Sequence, residues 1–96
     1  MENNALTRLQ QWYQSKCNGT WEHRHGLTIA TLDNPGWEVH LSGENNRKAM
    51  EIAAENSVKD WMCIKADKTE FHGYGGADNL HTILEYAVLW MHSQSE

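Results

Sequence analysis

The stretch Leu27-Thr28-Ile29-Ala30-Thr31-Leu32-Asp33-Asn34-Pro35-Gly36-Trp37-Glu38-Val39-His40-Leu41-Ser42 sets the fold class of this chain. Leu27, Ile29 and Thr31 alternate with Thr28, Ala30 and Leu32, the period of a β-strand, and three of these six residues are β-branched. Asn34-Pro35-Gly36 then supplies turn chemistry: Pro fixes φ near −65°, Gly permits a positive φ, and Asn34 fits the first position of a type II turn. Beyond it Trp37, Val39 and Leu41 alternate with Glu38, His40 and Ser42, so the second strand returns antiparallel to the first.

Outward from this hairpin, helices are expected at both ends. Between about Asn4 and Cys17, Leu6, Leu9, Trp12 or Tyr13 and Cys17 recur at intervals of three and four, with Asn3 or Asn4 as the cap and Asn18-Gly19 as the stop. Leu80, Ile83, Leu84, Ala87, Val88 and Met91 form a wider apolar stripe, extended by Tyr86, Leu89 and Trp90 and capped by Asp78 or Asn79. The tail Ser93-Gln94-Ser95-Glu96 is expected to fray.

Between hairpin and last helix the signals are weaker. Ser42-Gly43-Glu44-Asn45-Asn46 has the composition of a polar loop. Arg47 to Glu55 divides between helix, favoured by Ala49, Glu51, Ala53 and Ala54, and strand, favoured by the alternation of Met50, Ile52 and Ala54. Strand is preferred, because the segment is short and the strands around it need a neighbour. After the Asn56-Ser57 turn, Trp61 to Ala66 reads as a strand, Asp67-Lys68-Thr69 as a connection and Glu70 to Tyr74 as a short strand. Gly73, Gly75 and Gly76 bracket Tyr74 in a flexible or tight turn.

The resulting expectation is an α+β protein, residues 1–96 forming one domain: an antiparallel sheet of about four or five strands in a meander, with both helices on one face. The uncovered face is left for a partner.

Composition limits the function classes. The 96 residues carry 13 acidic against 8 basic side chains, a formal charge of −5, which disfavours a phosphate backbone as ligand and suits a basic protein surface, or serves solubility alone. Five Trp, three Tyr and four Met supply a dense core despite a mean hydropathy of −0.73. No basic leader and no long apolar run are evident, so neither a signal peptide nor a membrane span is expected. Cys17 and Cys63 form no CxxC pair and are expected reduced and buried, in a cytoplasmic setting.

Catalytic constellations are poorly supported. His23 and His25, two apart, would share one side of a strand and chelate a metal if His40 or His72 came near, but this is not a strong zinc spacing. Cys17 falls at a helix C-terminus and Cys63 inside an apolar strand, settings that do not favour a thiolate. Gly73-Tyr74-Gly75-Gly76 lacks the Lys and Ser/Thr of a phosphate loop, and Asp78 stands where the anion would sit. Among the available carboxylates Glu22, Asp33, Glu38 and Asp60, the sequence brings no two together.

Trp12-Tyr13, Cys17-Asn18-Gly19, Trp21-Glu22-His23, Gly26, Thr31-Leu32-Asp33-Asn34-Pro35-Gly36-Trp37, Asp60-Trp61, Phe71, Gly73, Gly75-Gly76 and Asn79-Leu80 together resemble the immunity protein 53 family of bacterial polymorphic toxin systems. The likeness runs from about Leu9 to Trp90 and is weakest over Ser42 to Ser57, where an alanine-rich segment replaces the family's third strand. It implies an α+β protein without catalysis or cofactor that binds and blocks a cognate toxin domain inside the producing cell. On this reading Trp21, Glu22, His23, Asp33 and Trp37 line the toxin-facing surface, joined by Asp60 and Tyr74, since Trp and Tyr often carry interface energy. Two readings compete with it. One is a small metal-binding or sulfurtransferase-like enzyme using His23, His25 or a cysteine; the other gives every motif tryptophan a structural role and puts the interface elsewhere.

Overall fold

A computed structural model describes residues 4–94. Helix α1 (Ala5–Lys16) is followed by a 3₁₀ helix (Trp21–His23), strands β1 (Leu27–Leu32), β2 (Gly36–Leu41), β3 (Met50–Glu55), β4 (Trp61–Ala66) and β5 (Phe71–Gly75), and helix α2 (Leu80–Met91). The α+β class, the five antiparallel strands and the two helices are as the periodicities predict, and the segment in doubt is strand β3. Asn4 caps α1, its side chain accepting from the Thr7 N–H at 2.8 Å. Asn3, the alternative cap, lies outside the described residues.

The strand order is β1-β2-β5-β4-β3, so the expected single meander is not formed. The chain leaves β2, crosses to the far edge to lay down β3, and folds back through β4 to insert β5 at the centre. Residues 42–49 make this crossover of about 14 Å, three inter-strand spacings. They do so against the β4–β5 turn: the Glu44 and Arg47 N–H groups donate to the Thr69 and Lys68 carbonyls at 3.2 and 3.1 Å.

Glycine explains why β5 takes the middle. Gly73 and Gly75 lie in the strand, not in the flexible turn expected of them, between Val39 and Ile64 and between Trp37 and Met62. A Cβ at either position would meet the Ile83 side chain at 2.6 or 2.7 Å, so their bare backbone lets α2 settle closely onto the sheet. Helix α2 packs on β2, β4 and β5 with α1 beside it. Leu9, Val39, Leu41, Ile64, Phe71, Ile83, Ala87 and Trp90 are fully buried, whereas Leu89 points outward at 61% exposure.

Three local expectations are corrected. The hairpin turn is not type II: Gly36 has no positive φ, the Asn34–Pro35 peptide is cis, and Gly36 is required because a Cβ would strike the Gly75 carbonyl oxygen. Asn79 precedes α2 but does not cap it; its Oδ1 accepts from the Trp61 N–H at 3.2 Å instead. Ser93 does not fray, since its carbonyl accepts from Arg47 at 2.8 Å and its hydroxyl oxygen accepts from the Lys48 N–H at 3.0 Å. Residues 95–96 lie outside the described residues.

The crossover is anchored by Glu44, whose side chain is 1% exposed. Its carboxylate accepts from the Trp12 indole N–H and the Lys16 ammonium, both at 2.7 Å, and pairs with the Arg47 guanidinium at 2.9 Å. Burial would raise the pKa of this carboxyl, but the bonds from Lys16, Trp12 and Arg47 outweigh it and hold the group below the ordinary glutamate range. A charge stripped of water is tolerated only with such partners. Glu44→Gln is therefore expected to cost about 3 kcal/mol, the low end for breaking a buried pair, because Lys16 and Arg47 remain 30% and 20% exposed. Since folding lowers this pKa, the contribution is present above the unfolded value of about 4.3 and is lost as pH falls through the folded value. Urea titrations of both proteins across the acid range should show the gap closing there.

Candidate functional site

The register sorts the seven residues expected at the site into two groups at opposite ends of the sheet. Trp21, Glu22 and His23 precede Leu27, at the end where β2 finishes and β5 begins. Asp33 and Trp37 flank the β1–β2 turn, Asp60 lies in the β3–β4 turn, and Tyr74 approaches the end of β5; these four share the other end. Six-residue strands separate the groups by roughly 20 Å.

At the first end the side chains hold the chain together. Trp21 meets Trp12 edge to face, with centroids 5.5 Å apart, and touches Tyr13 and His25 at 5.8 and 5.9 Å. Its indole N–H donates to the Gly43 carbonyl at 3.0 Å, locking the crossover loop, where Gly43 has φ +91° and no room for a Cβ beside the ring. Glu22 accepts from the Asn18 and Gly19 N–H groups at 3.0 and 2.9 Å, and its own backbone N–H first, then that of Asn18 and, less, that of Gly19, lower its pKa. His23 and His25 are exposed and stand in the 3₁₀ helix and the bend after it, so they do not form the expected two-residue strand pair.

At the second end, the turns 33–35, 56–60 and 76–79 lie side by side: the Asp78 N–H donates to the Lys59 carbonyl at 3.4 Å, and Gly36 abuts Gly75. These turns hold Asp33, Asp60 and Asp78 against Lys59, with Glu55 at the adjoining end of β3. Asp60 is engaged, accepting from Asn79 at 3.0 Å and Asn56 at 3.3 Å. Asp33 and Asp78 are exposed, and Val58 projects from the same end at 81% exposure. The Trp37 indole N–H donates to the Ala77 carbonyl at 3.0 Å, while Tyr74 stands half-buried on the sheet face away from the helices.

That outer face carries Glu38 and His40 from β2, His72 and Tyr74 from β5, and Trp61, Cys63 and Lys65 from β4, opposite in parity to the buried Val39, Leu41 and Ile64. His40 and His72 are cross-strand partners, with rings stacked 4.3 Å apart. In sequence His40 and His72 are alternatives and Glu70 carries no signal, because only the register reveals that the two histidines meet. Neither cysteine heads an anion-binding loop, and neither is buried as expected: Cys17, exposed at the end of α1, donates its thiol to the Tyr13 carbonyl at 3.2 Å, and Cys63 sits half-buried within β4. Among the described residues no helix is long and apolar enough to cross a membrane.

The family model for immunity protein 53 (Imm53) matches residues 6–92, and the chain belongs to that family. No curated protein and no solved structure matches it.

Substitutions should separate structural from exposed members of the set. Trp21→Ala is expected to cost about 3 kcal/mol or more, as large aromatic truncations do, whereas His23→Ala should stay within about 0.5 kcal/mol. Urea denaturation of the two variants measures both.

Proposed function

We propose that this chain is an immunity protein that binds a cognate bacterial toxin domain by direct protein–protein contact, inhibiting it without turnover in the cytoplasm of the producing cell. Membership of the immunity protein 53 family over residues 6–92 is the observation that carries this reading. The docking surface we assign is the acidic turn end: Asp33, Asp60 and Asp78 form the charged rim, Val58 the exposed apolar tip, and Tyr74 and Trp37 the aromatic flank. Charge complementarity of this sort favours a basic partner surface and raises the association rate. Trp21 and Glu22, at the far end, serve in this assignment to hold the helix junction, and His23 beside them is exposed.

The test uses the C-terminal domain of a large secreted protein sought in the reading frame neighbouring this chain's own. Asp33→Lys combined with Asp78→Lys touches no side-chain hydrogen bond among the described residues and should leave thermal stability unchanged. It is expected to slow association with the toxin by about tenfold or more at low salt, an effect that weakens as salt is raised. Stopped-flow association kinetics measure this, and an unchanged rate would move the interface elsewhere.

A further inference from the structure

We propose that His40, Glu70 and His72 hold one divalent transition-metal ion, zinc by the chemistry of the ligands, on the outer face of the sheet. Three placements converge to make the set. Glu70 and His72 are two apart at the start of β5 and share a face, and the β2–β5 register puts His40 directly opposite His72. The Nε2 atoms of His40 and His72 lie 2.9 and 3.7 Å from the same Glu70 Oε1, and the three ligand atoms all fall within 4.8 Å of one another. Metal–ligand bonds of about 2.1 Å in a tetrahedron separate ligand atoms by about 3.4 Å, a value these distances bracket.

The backbone that carries Glu70 is held in place by its own turn. Asp67 Oδ1 accepts from the N–H groups of Thr69 and Glu70, both at 2.8 Å, and the Asp67 N–H donates to the Glu70 carbonyl at 2.9 Å. All three ligands are half-buried, and the stacked imidazoles, 15° from parallel, must turn for both Nε2 lone pairs to face one ion. Two imidazoles and one carboxylate favour zinc over calcium or magnesium, which prefer oxygen alone, and three protein ligands leave a fourth position open to solvent. Lys65, cross-strand from His72, has Glu51 opposite it on β3 to offset its charge.

The site is distinct from the acidic turns and stands or falls independently of toxin binding. Tag-free full-length protein at neutral pH, titrated with zinc chloride in a calorimeter and with cobalt chloride by visible absorption, provides the test. One ion per chain is expected, with the intense visible bands of four-coordinate cobalt. Glu70→Gln and His72→Gln, each with unchanged circular dichroism, should weaken zinc binding by at least about tenfold, while His23→Ala and His25→Ala leave it unchanged. Absence of binding at micromolar protein overturns the proposal. So does loss of the ion in the His23 or His25 variants, or its retention by both Gln variants.

Discussion

The carboxylate of Glu44 ties together parts of the chain that share no strand pairing. Through Trp12 and Lys16 it holds α1; through Arg47, which also donates to Ser93, it reaches the chain just past α2. One residue earlier, Gly43 receives the Trp21 indole. The crossover that carries the chain from β2 to β3 is therefore a strap pinned to the helix ends through the buried Glu44, while Asn45, Asn46, Lys48 and Ala49 along it are exposed. If it slackens, α1 loses its polar anchor and the β4–β5 turn loses the backbone partners that register it. A buried charge fits this position because geometry, more than net energy, is what it supplies.

With the strap in place, the sheet separates two kinds of surface. At the strap end, four acidic groups are occupied: Glu22 and Asp67 by backbone N–H groups, Glu44 by cations and an indole, Glu70 by His40. At the opposite end Asp33 and Asp78 make no side-chain hydrogen bond among the described residues, and they stand beside an exposed valine. Charge committed to internal bonds has little left for a partner, whereas charge left in solvent remains free to steer one. This asymmetry is why the turns 33–35, 56–60 and 76–79 are the surface we assign to the toxin.

Much of the fold was readable from periodicity, because α2 and the β1–β2 hairpin bury one face each and their apolar spacing records it. The position of β5 was hidden for a physical reason: glycines at 73 and 75 erase the alternation that marks a central strand and imitate a turn. Glu44 was hidden by its neighbours, since an acid between Ser-Gly and Asn-Asn has the composition of a solvated loop. Asn79 resembled a helix cap but spends its side chain on β4 and Asp60. Of the site, the sequence supplied residue types without positions. Trp21 and Trp37 fall within one short stretch of sequence yet at opposite ends of the sheet, and His40 and His72, far apart in the chain, are stacked.

Hydrogen–deuterium exchange of this chain, alone and saturated with the toxin domain, tests the central claim most directly. The account expects added protection at the turns 33–35, 56–60 and 76–79, with exchange at 18–26 unaltered. Protection confined to 18–26, with the acidic turns exchanging as in the free protein, would contradict it.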